Sequence, residues 1–273
     1  MTLRLLTWNL FHGRDKPPEP DLFTWRSRLL RTTERGDRYA QVNRPLRNEF
    51  TEVLRGLDWD VALLQEASPR WREPLRRDLG ATGASVLTSR NWLAPLRGLV
   101  AEHNPDLIAS NEGGSNQTLV RPGWTVVETR VHTIATRPER RRMLWTRLRS
   151  DGGDELAVAN LHASLRRVPG SGDGVVAAAD RAVEWAGDLP LVFGGDLNHS
   201  PAREPEVFEQ LVRRHGLAPP TPRDAIDHLL LRGLDVVEAP RQLPDSVREL
   251  PAGDGLLLRL SDHACVACTA SMK

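Results

Sequence analysis

Short apolar runs recur along the chain, and Gly, Pro, Asp and Asn separate them, which is the pattern of β-strands joined by turns. Val, Leu, Ile and Thr dominate these runs. The pattern predicts strands at 3–10, 61–65, 85–88, 117–121, 125–136, 143–149, 156–161, 191–193, 226–231 and 264–269. Because side chains alternate between the two faces of a strand, residues two positions apart should share a face of the sheet.

Apolar residues at helical spacing are confined to fewer segments. A stripe that includes Phe50 and Leu54 predicts a helix over 45–56. Similar stripes predict helices over 173–186 and 204–215. Many strands with few helices between them favour an α+β fold, in which two mixed sheets pack face to face and helices cover them.

The length of 273 residues, of which 40% are apolar, suits one large domain with a sizeable core. The segment 11–44 is rich in Pro, Arg, Asp and Glu and follows the first predicted strand directly. We interpret it as a long variable loop over a candidate site, not as a boundary between domains. The sequence therefore predicts a single domain over 1–273.

The balance of basic and acidic residues limits the kinds of molecule that the protein can bind by charge. The chain carries 37 basic and 36 acidic residues, a net charge of +1. Proteins that bind duplex DNA through bulk electrostatics usually have a strongly basic domain, so only a local basic groove is compatible with this composition. The run Arg140-Arg141-Arg142 is a candidate phosphate clamp, and a solvated turn is its alternative.

The distribution of apolar residues also bears on location. No apolar run approaches the roughly 18 residues of a membrane span, and the N-terminus turns polar too soon for a signal peptide. We expect a cytoplasmic protein with no membrane span, and a monomer.

Polar side chains stand where several apolar runs stop. Asp196 and Asn198 follow the run 189–193 and, being two positions apart, should point to the same side of a strand end. Other runs end in Asn9, Glu66, Asn160 with His162, and Asp227, and the last run starts after Asp262 and His263. An acid beside a neutral amide suits holding a water against an electrophile, so converging strand ends would form a catalytic site.

Each of these residues also has an ordinary structural explanation. Glu66 fits an acid at a helix N-terminus, and Asp227 fits a turn cap. His162 fits a half-buried histidine, and Asn9 fits a residue that ends a strand. Their joint occurrence favours catalysis, because every structural explanation would have to hold independently.

Six short blocks carry a family resemblance. They are Thr7-Trp8-Asn9, Leu64-Gln65-Glu66, Asn160-Leu161-His162, Gly195-Asp196-Leu197-Asn198, Ile226-Asp227-His228 and Ser261-Asp262-His263. In this order, from residue 7 to residue 263, they resemble the endonuclease/exonuclease/phosphatase (DNase I-like) superfamily. The resemblance implies a four-layer α/β sandwich and a divalent-metal phosphoesterase, usually with Mg²⁺ and with Mn²⁺ as a substitute.

The resemblance also implies which residues bind metal and activate water. Glu66 would be the main metal carboxylate, with Asn9 and Asp262 close by. Asp196 would position or deprotonate the attacking water, and Asn198 would help to fix the water and the phosphate. This agrees with the chemistry of the substrate, since a phosphodiester is an anion that repels hydroxide and a hard cation held by oxygen ligands offsets that repulsion.

The remaining matched residues would contact the phosphate. The resemblance implies that His263 meets the scissile phosphate and is oriented by Asp227. It implies that Asn160 and His162 contact phosphate oxygens from a neighbouring strand end. A histidine held by an aspartate can stay protonated near neutral pH and stabilise charge on phosphoryl oxygens.

One departure from the family concerns DNA repair. Apurinic endonucleases of this superfamily have a phosphate-facing tyrosine, whereas the single tyrosine here, Tyr39, lies in the variable loop. The sequence favours a phosphodiesterase or nuclease that attacks a phosphoester substrate with an activated water, nucleic acid being one candidate substrate. Two alternatives stay open: a phosphatase acting on a small phosphorylated metabolite or lipid headgroup, and a non-catalytic binding relative.

Overall fold

Two mixed β-sheets lie face to face in the computed structural model, which describes residues 2–89, 93–106, 114–219 and 221–273. The first sheet has the strand order β12 (Leu234–Gln242), β15 (Val266–Met272), β1 (Thr2–Asn9), β4 (Val61–Ala67), β6 (Ser115–Val120) and β5 (Thr82–Leu87). The second has the order β11 (Asp227–Arg232), β10 (Leu191–Asp196), β9 (Glu155–His162), β8 (Arg141–Ser150) and β7 (Trp124–Ala135). Two small ribbons pair β2 (Glu34–Arg35) with β3 (Ala40–Gln41), and β13 (Glu249–Gly253) with β14 (Leu256–Arg259).

Helices cover the outer faces of both sheets. The described residues contain α1 (Trp25–Leu30), α2 (Arg47–Gly56), α3 (Arg72–Leu79), α4 (Ala94–His103), α5 (Ser171–Ala186) and α6 (Pro205–His215). Buried side chains of α2 and α3 pack on the first sheet, and those of α5 and α6 pack on the second. A third apolar cluster fills the space between the sheets. The order helix, sheet, sheet, helix confirms the predicted four-layer sandwich.

The apolar pattern located most of the scaffold. Every predicted strand and all three predicted helices are present, with ends shifted by a few residues. The pattern missed α1, α3 and α4, and it missed the small ribbons and β12. β12 lies at a sheet edge with most of its side chains exposed, so no alternation of apolar residues marks it.

The segment 11–44 is more ordered than the predicted loop. It contains a 3-10 turn at Phe11–Gly13, helix α1 and the ribbon of β2 and β3. The Glu34 carboxylate fixes this segment by accepting hydrogen bonds from the backbone N–H groups of Phe23, at 2.6 Å, and Thr24, at 2.9 Å. Hydrogen bonds to polar side chains replace an apolar core here, which explains why the hydrophobic pattern gave no signal.

Strand pairing brings the polar strand ends together. β1 runs parallel to β4, and β9 runs parallel to β10, so each pair ends at the same edge of its sheet. β11 runs antiparallel to β10, and Asp227 at its start pairs with Asp196. The prediction that an apolar run ends at Asp227 was therefore wrong, because the strand begins there. The antiparallel pairing of β15 with β1 likewise places the residues before β15 near the end of β1.

No helix in the described part of the chain combines the length and the apolar character that a membrane crossing requires.

Candidate active site

The facing sides of the two sheets change from apolar to polar toward one edge. In β1, Leu3 and Leu5 are followed on the same face by Thr7 and Asn9. The other strands change in the same way, and their inward polar residues at this edge are Gln65 of β4, Asn160 and His162 of β9, Asp196 of β10 and Asp227 of β11. All of them are buried, so hydrogen bonds within the protein must replace their contacts with water.

This polar edge opens into a cavity of about 450 Å³. The predicted site residues that line it are Glu66, His162, Asp196, Asn198, Asp262 and His263. Other residues of its wall are Phe11, His12, Arg14, Thr88, Ser89, Arg141 and Arg167. The structure therefore gathers side chains from strand ends that are far apart in sequence around one space.

Gly195 sets the approach of β10 to its neighbour. Its φ of +123° lies in the region that favours glycine, and a Cβ there would come within 2.1 Å of the Leu161 carbonyl oxygen. The glycine thus allows Asp196, the next residue, to pair with His162 of β9 across the sheet.

Asp227 and His263 form a hydrogen-bonded pair. The ring nitrogen Nδ1 of His263 donates to Oδ2 of Asp227 at 2.8 Å. Burial opposes a charge on the imidazole, but the carboxylates of Asp227, Asp196 and Asp262 raise the pKa of His263 well above its usual value. His263 is therefore an imidazolium near neutral pH, and its Nε2 lies 3.8 Å from Asp196 and 3.7 Å from Asp262.

Asp196 is held by two amide donors. Nδ2 of Asn9 donates to its Oδ2, and the backbone N–H of Asn198 donates to its Oδ1, each at 2.9 Å. Burial raises the pKa of Asp196 to about 7; the charge of His263 opposes this increase and that of Asp227 adds to it. Asn198 has a φ of +55°, and its own Nδ2 donates to the Ala163 carbonyl at 3.1 Å, which orients the carboxamide at the cavity wall.

Glu66 lies in the cavity wall with a histidine on each side. Its Oε2 is 3.1 Å from Nε2 of His12, and its Oε1 is 3.7 Å from Nε2 of His162. Burial alone would raise the pKa of Glu66, but the surrounding histidines and Arg141 lower it to about 2. Glu66 is therefore a carboxylate at every pH at which the protein would work.

His162 is a neutral imidazole. Burial, with the nearby charge of Arg141, lowers its pKa to about 3. A guanidinium nitrogen of Arg141 lies 2.8 Å from its Nδ1 and 3.1 Å from its Nε2, and a guanidinium only donates. We assign the shorter contact as the hydrogen bond, so that Nδ1 accepts and Nε2 carries the proton. Nε2 is 3.4 Å from Asp196. Burial also lowers the pKa of His12, whose Nε2 lies 3.1 Å from Glu66.

Three predicted site residues, Asn9, Asn160 and Asp227, do not line the cavity. Besides its bond to Asp196, Asn9 uses its Oδ1 to accept the backbone N–H of Phe11 at 2.9 Å. Asn160 is fully buried, and its Nδ2 donates to carbonyls of the facing sheet, those of Leu64 at 3.2 Å and Gln117 at 2.9 Å. Its Oδ1 accepts Nε2 of Gln65 at 2.8 Å. The structure thus does not bring the Asn160 carboxamide to the cavity, because the facing sheet occupies it.

The donors of the cavity fit a divalent cation. Burial raises the pKa of Asp262, the charge of His263 opposes this increase, and the negative charge of Glu66 adds to it, so Glu66 and Asp262 lie within electrostatic range of each other. Carboxylate oxygens are the ligands that Mg²⁺ prefers. Ligand atoms of Asp196, Asp227 and His263 also lie within 4.8 Å of one another. We favour Glu66 with Asp262, because Asp227 and His263 are already bonded to each other and Asp196 already accepts two N–H groups.

Three cavity residues lacked a clear signal in the sequence. No motif in the sequence includes His12, and a turn with a φ of +55° places it against Glu66. Arg14 follows the same turn and was not singled out. Of the arginine run, only Arg141 lines the cavity, whereas Arg140 donates to the carbonyls of Thr88 and Ser89, and Arg142 to that of Leu87 at 3.5 Å.

Comparison with known sequences identifies a family for most of the chain. Residues 6–263 match the family described as "Endonuclease/Exonuclease/phosphatase family". No curated protein matches the sequence.

Solved structures share the fold at low sequence identity. A mannosyl-6-phosphatase from Bacteroides thetaiotaomicron has a TM-score of 0.66 and 14% identity, covering 99% of this chain and 100% of that one. The human Nocturnin catalytic domain with a bound sulfate anion has a TM-score of 0.64 and 18% identity, covering 100% of this chain and 94% of that one. Humanized D. rerio TDP2 has a TM-score of 0.59 and 14% identity, covering 99% of each chain.

Proposed function

The chain belongs to the endonuclease/exonuclease/phosphatase family, and on that premise we propose that it is a divalent-metal-dependent phosphodiesterase that cleaves its substrate by in-line attack of water. Members of this family are hydrolases that act on phosphoesters. We further propose that the substrate is a diester, that a metal is required, and which residues perform each step.

The observation that carries the proposal is the line of contacts from Asp227 through His263 to Asp196 at one wall of the cavity. It provides a protonated imidazole next to a carboxylate whose pKa is about 7. Hydrolysis of a phosphoester needs both groups, one to stabilise charge on the phosphoryl oxygens and one to take a proton from water.

Asp196 is the proposed general base. Asn9 and Asn198 fix its carboxylate in one orientation toward the cavity. Because the side chain is already ordered, the reaction does not have to restrict its conformational freedom. With a pKa near 7, its ionised form is populated at neutral pH and is still basic enough to accept a proton from the attacking water. The cavity-facing carboxamide of Asn198 would help to hold that water.

His263 and His162 are the proposed phosphate donors. Nε2–H of His263 would donate to a phosphoryl oxygen and carry positive charge, while Asp227 orients the ring from its other side. Nε2–H of His162, which Arg141 orients, would add a neutral donor. We propose that Asn160 acts through Gln65, as a positioning residue that holds the end of β4 against β9.

Glu66 and Asp262 are the proposed metal ligands, and retained water would fill the other positions. Bound there, a divalent cation would neutralise charge on the phosphoryl oxygens. Both polar ends of the Asn9 carboxamide are already hydrogen-bonded, so we assign this residue to the orientation of Asp196 and not to direct ligation.

A phosphatase acting on a phosphomonoester is the second candidate. Three arginines, Arg14, Arg141 and Arg167, line the same cavity. A monoester is a dianion near neutral pH, and it would use this positive charge more fully than a diester, which carries one charge per phosphate.

The test is a substrate panel with metal control. Protein stripped with EDTA is assayed with bis-p-nitrophenyl phosphate, p-nitrophenyl phosphate, and single- and double-stranded oligonucleotides, before and after Mg²⁺ or Mn²⁺ is added. We expect activity only with metal and a higher kcat/KM for diesters. A preference for the monoester would favour the second candidate. Activity that survives chelation would remove the metal from the mechanism.

A further inference from the structure

Helix α1 turns its large apolar side chains to solvent. Trp25 is 66% exposed, Leu29 59% and Leu30 63%, while Ser27 is the one buried residue of this helix. A surface helix of a soluble protein normally buries its apolar side chains and exposes its polar ones. The orientation of α1 is the reverse.

Polar contacts to the backbone hold α1 in this orientation. The Thr24 hydroxyl accepts the N–H of Ser27 at the start of the helix. The carboxamide of Asn43 donates to the Ser27 carbonyl at 3.0 Å, and that of Asn104 donates to the Arg28 carbonyl at 2.6 Å. The three apolar side chains belong to none of the described apolar clusters, and a role at the surface would account for them.

Helix α4 continues the same apolar surface. Leu96, at 58% exposure, and Leu99, at 59%, lie on one side of α4 together with His103, because residues three, four and seven positions apart share a helix face. A guanidinium nitrogen of Arg31, which follows α1, lies 3.2 Å from the His103 ring. We call the surface formed by Trp25, Leu29, Leu30, Leu96 and Leu99 the α1–α4 face.

Arginines surround the α1–α4 face. Arg26, Arg28 and Arg31 come from α1 and its C-cap, and among the described carboxylates none forms an ion pair with them. Arg97 lies on α4. The acid of α4, Glu102, is paired with Arg70 at 3.1 Å on another side of that helix. The result is an apolar centre with a cationic rim.

We propose that the α1–α4 face docks on the surface of an anionic lipid bilayer. Exposed Trp and Leu on helices with arginines at their margin are the composition that enters the boundary between headgroups and acyl chains. Each basic side chain near an anionic membrane strengthens binding further. A second copy of the chain fits less well, because a symmetric pairing of this face would bring the cationic rims together. Nucleic acid would leave the leucines without apolar partners.

Cation–π contacts link the start of α1 to the wall of the catalytic cavity. The ring of Phe23, just before α1, is surrounded by Lys16 at 4.5 Å, Arg28 at 5.2 Å and Arg14 at 5.9 Å. Arg14 is also part of the cavity wall. A bilayer docked on the α1–α4 face would thus bring headgroup phosphates toward a row of cations that leads from α1 to the cavity. The docking goes beyond the proposed hydrolysis and can be measured without turnover.

The test is sedimentation of the full chain with sucrose-loaded vesicles, either phosphatidylcholine alone or phosphatidylcholine with phosphatidylglycerol. An apolar variant, Trp25→Ser with Leu99→Ser, and a charge variant, Arg26→Glu with Arg31→Glu, are compared with the unmodified protein. The matched control, Val237→Ser with Arg241→Glu, changes an exposed apolar residue and an exposed arginine on β12. Circular dichroism and thermal unfolding check that each variant is folded, and kcat/KM on bis-p-nitrophenyl phosphate checks the cavity.

We expect the unmodified protein to bind the anionic vesicles about tenfold or more tightly than the neutral ones, and to lose this binding as salt is added. Both face variants should lose about tenfold or more of that binding, while the control keeps it and all proteins keep equal activity on the small diester. No binding to anionic vesicles, or equal binding by the face variants, would overturn the proposal. A dimer in solution that the face variants dissociate would also overturn it, by assigning the face to a second copy. Vesicle binding is measured without turnover, so failure of the docking and failure of the hydrolysis are distinguishable.

Discussion

The space between the two sheets has an apolar half and a polar half, built by the same strands. In β9, Leu156 and Val158 face the opposite sheet in the apolar half, and Asn160 and His162 face it in the polar half. The apolar half is closed by side-chain packing alone. The polar half is closed by directed bonds, such as that of Asn160 to the Gln117 carbonyl of the other sheet.

The difference teaches how one scaffold separates stability from chemistry. Apolar burial is non-directional and contributes in proportion to area, so the apolar half tolerates many residues of suitable size. Each buried polar group needs its own partner, so the polar half specifies positions. The residues that line the cavity are held to narrow positions because the residues behind them, Asn9 and Asn160, are hydrogen-bonded within the fold at both ends of their carboxamides.

The largest expected effect belongs to the apolar half. Leu5→Ala removes a fully buried side chain from the cluster between the sheets and should lower the free energy of unfolding by about 2–5 kcal/mol. The kcat per folded molecule should stay within about twofold, because Leu5 touches no group of the cavity wall. Denaturant unfolding and kinetics on the same sample measure both. The control is Val237→Ala, which changes an exposed residue. A loss of kcat in Leu5→Ala would show that catalysis depends on packing in the apolar half.

The reverse result is expected for Asp196→Asn in the polar half. We expect kcat to fall by about 10²–10³, since the proposed general base is lost. The free energy of unfolding should change by less than about 1 kcal/mol, because Asn avoids the cost of burying a carboxylate and its repulsion from Asp227, which offsets the lost attraction to His263 and weaker bonds to Asn9 and Asn198. If the variant is strongly destabilised but retains its activity per folded molecule, the role of Asp196 is structural and not catalytic.

Asn160→Ala tests the boundary between the halves. Without its carboxamide, Gln65 and the carbonyls of Leu64 and Gln117 lose buried partners, so stability should fall by about 1–3 kcal/mol. We expect kcat to fall by about tenfold with an unchanged KM, as for a residue that positions others and does not touch the substrate.

Thr118→Val is the matched control for Asn160→Ala. Its buried hydroxyl has no hydrogen-bond partner in the described structure, so the change should cost almost nothing. An increased KM in Asn160→Ala would instead indicate that Asn160 contacts the phosphate, as the sequence predicted.

The smallest expected effect separates two neighbouring arginines. Arg141 lines the cavity and contacts His162, whereas Arg142 points to the Leu87 carbonyl. Arg141→Gln should raise KM for a minimal diester by about tenfold or less, as the loss of one charge-assisted contact implies, and Arg142→Gln should leave KM unchanged. A larger effect of Arg142→Gln on a long polynucleotide would show that a polymer extends beyond the cavity.

Local pattern in the sequence determined most of the scaffold and the identity of many cavity residues. Short apolar runs bounded by turn residues gave the strands, and the polar residues next to the ends of these runs included Glu66, Asp196, Asp262 and His263, all of which line one cavity. These inferences succeed because alternation along a strand is set by the geometry of each residue and its neighbours.

Only the tertiary structure decided which polar side chains face the cavity and which are occupied by the fold. Asn9 meets Asp196 across 187 positions of sequence, and Asn160 meets Gln65 across 95. His12 became a partner of Glu66 through a turn with positive φ, and Asp227 reached Asp196 through antiparallel pairing. The physical reason is that strand register and sheet packing are non-local. The partner that completes a buried hydrogen bond is therefore often far away in the sequence from the residue that needs it.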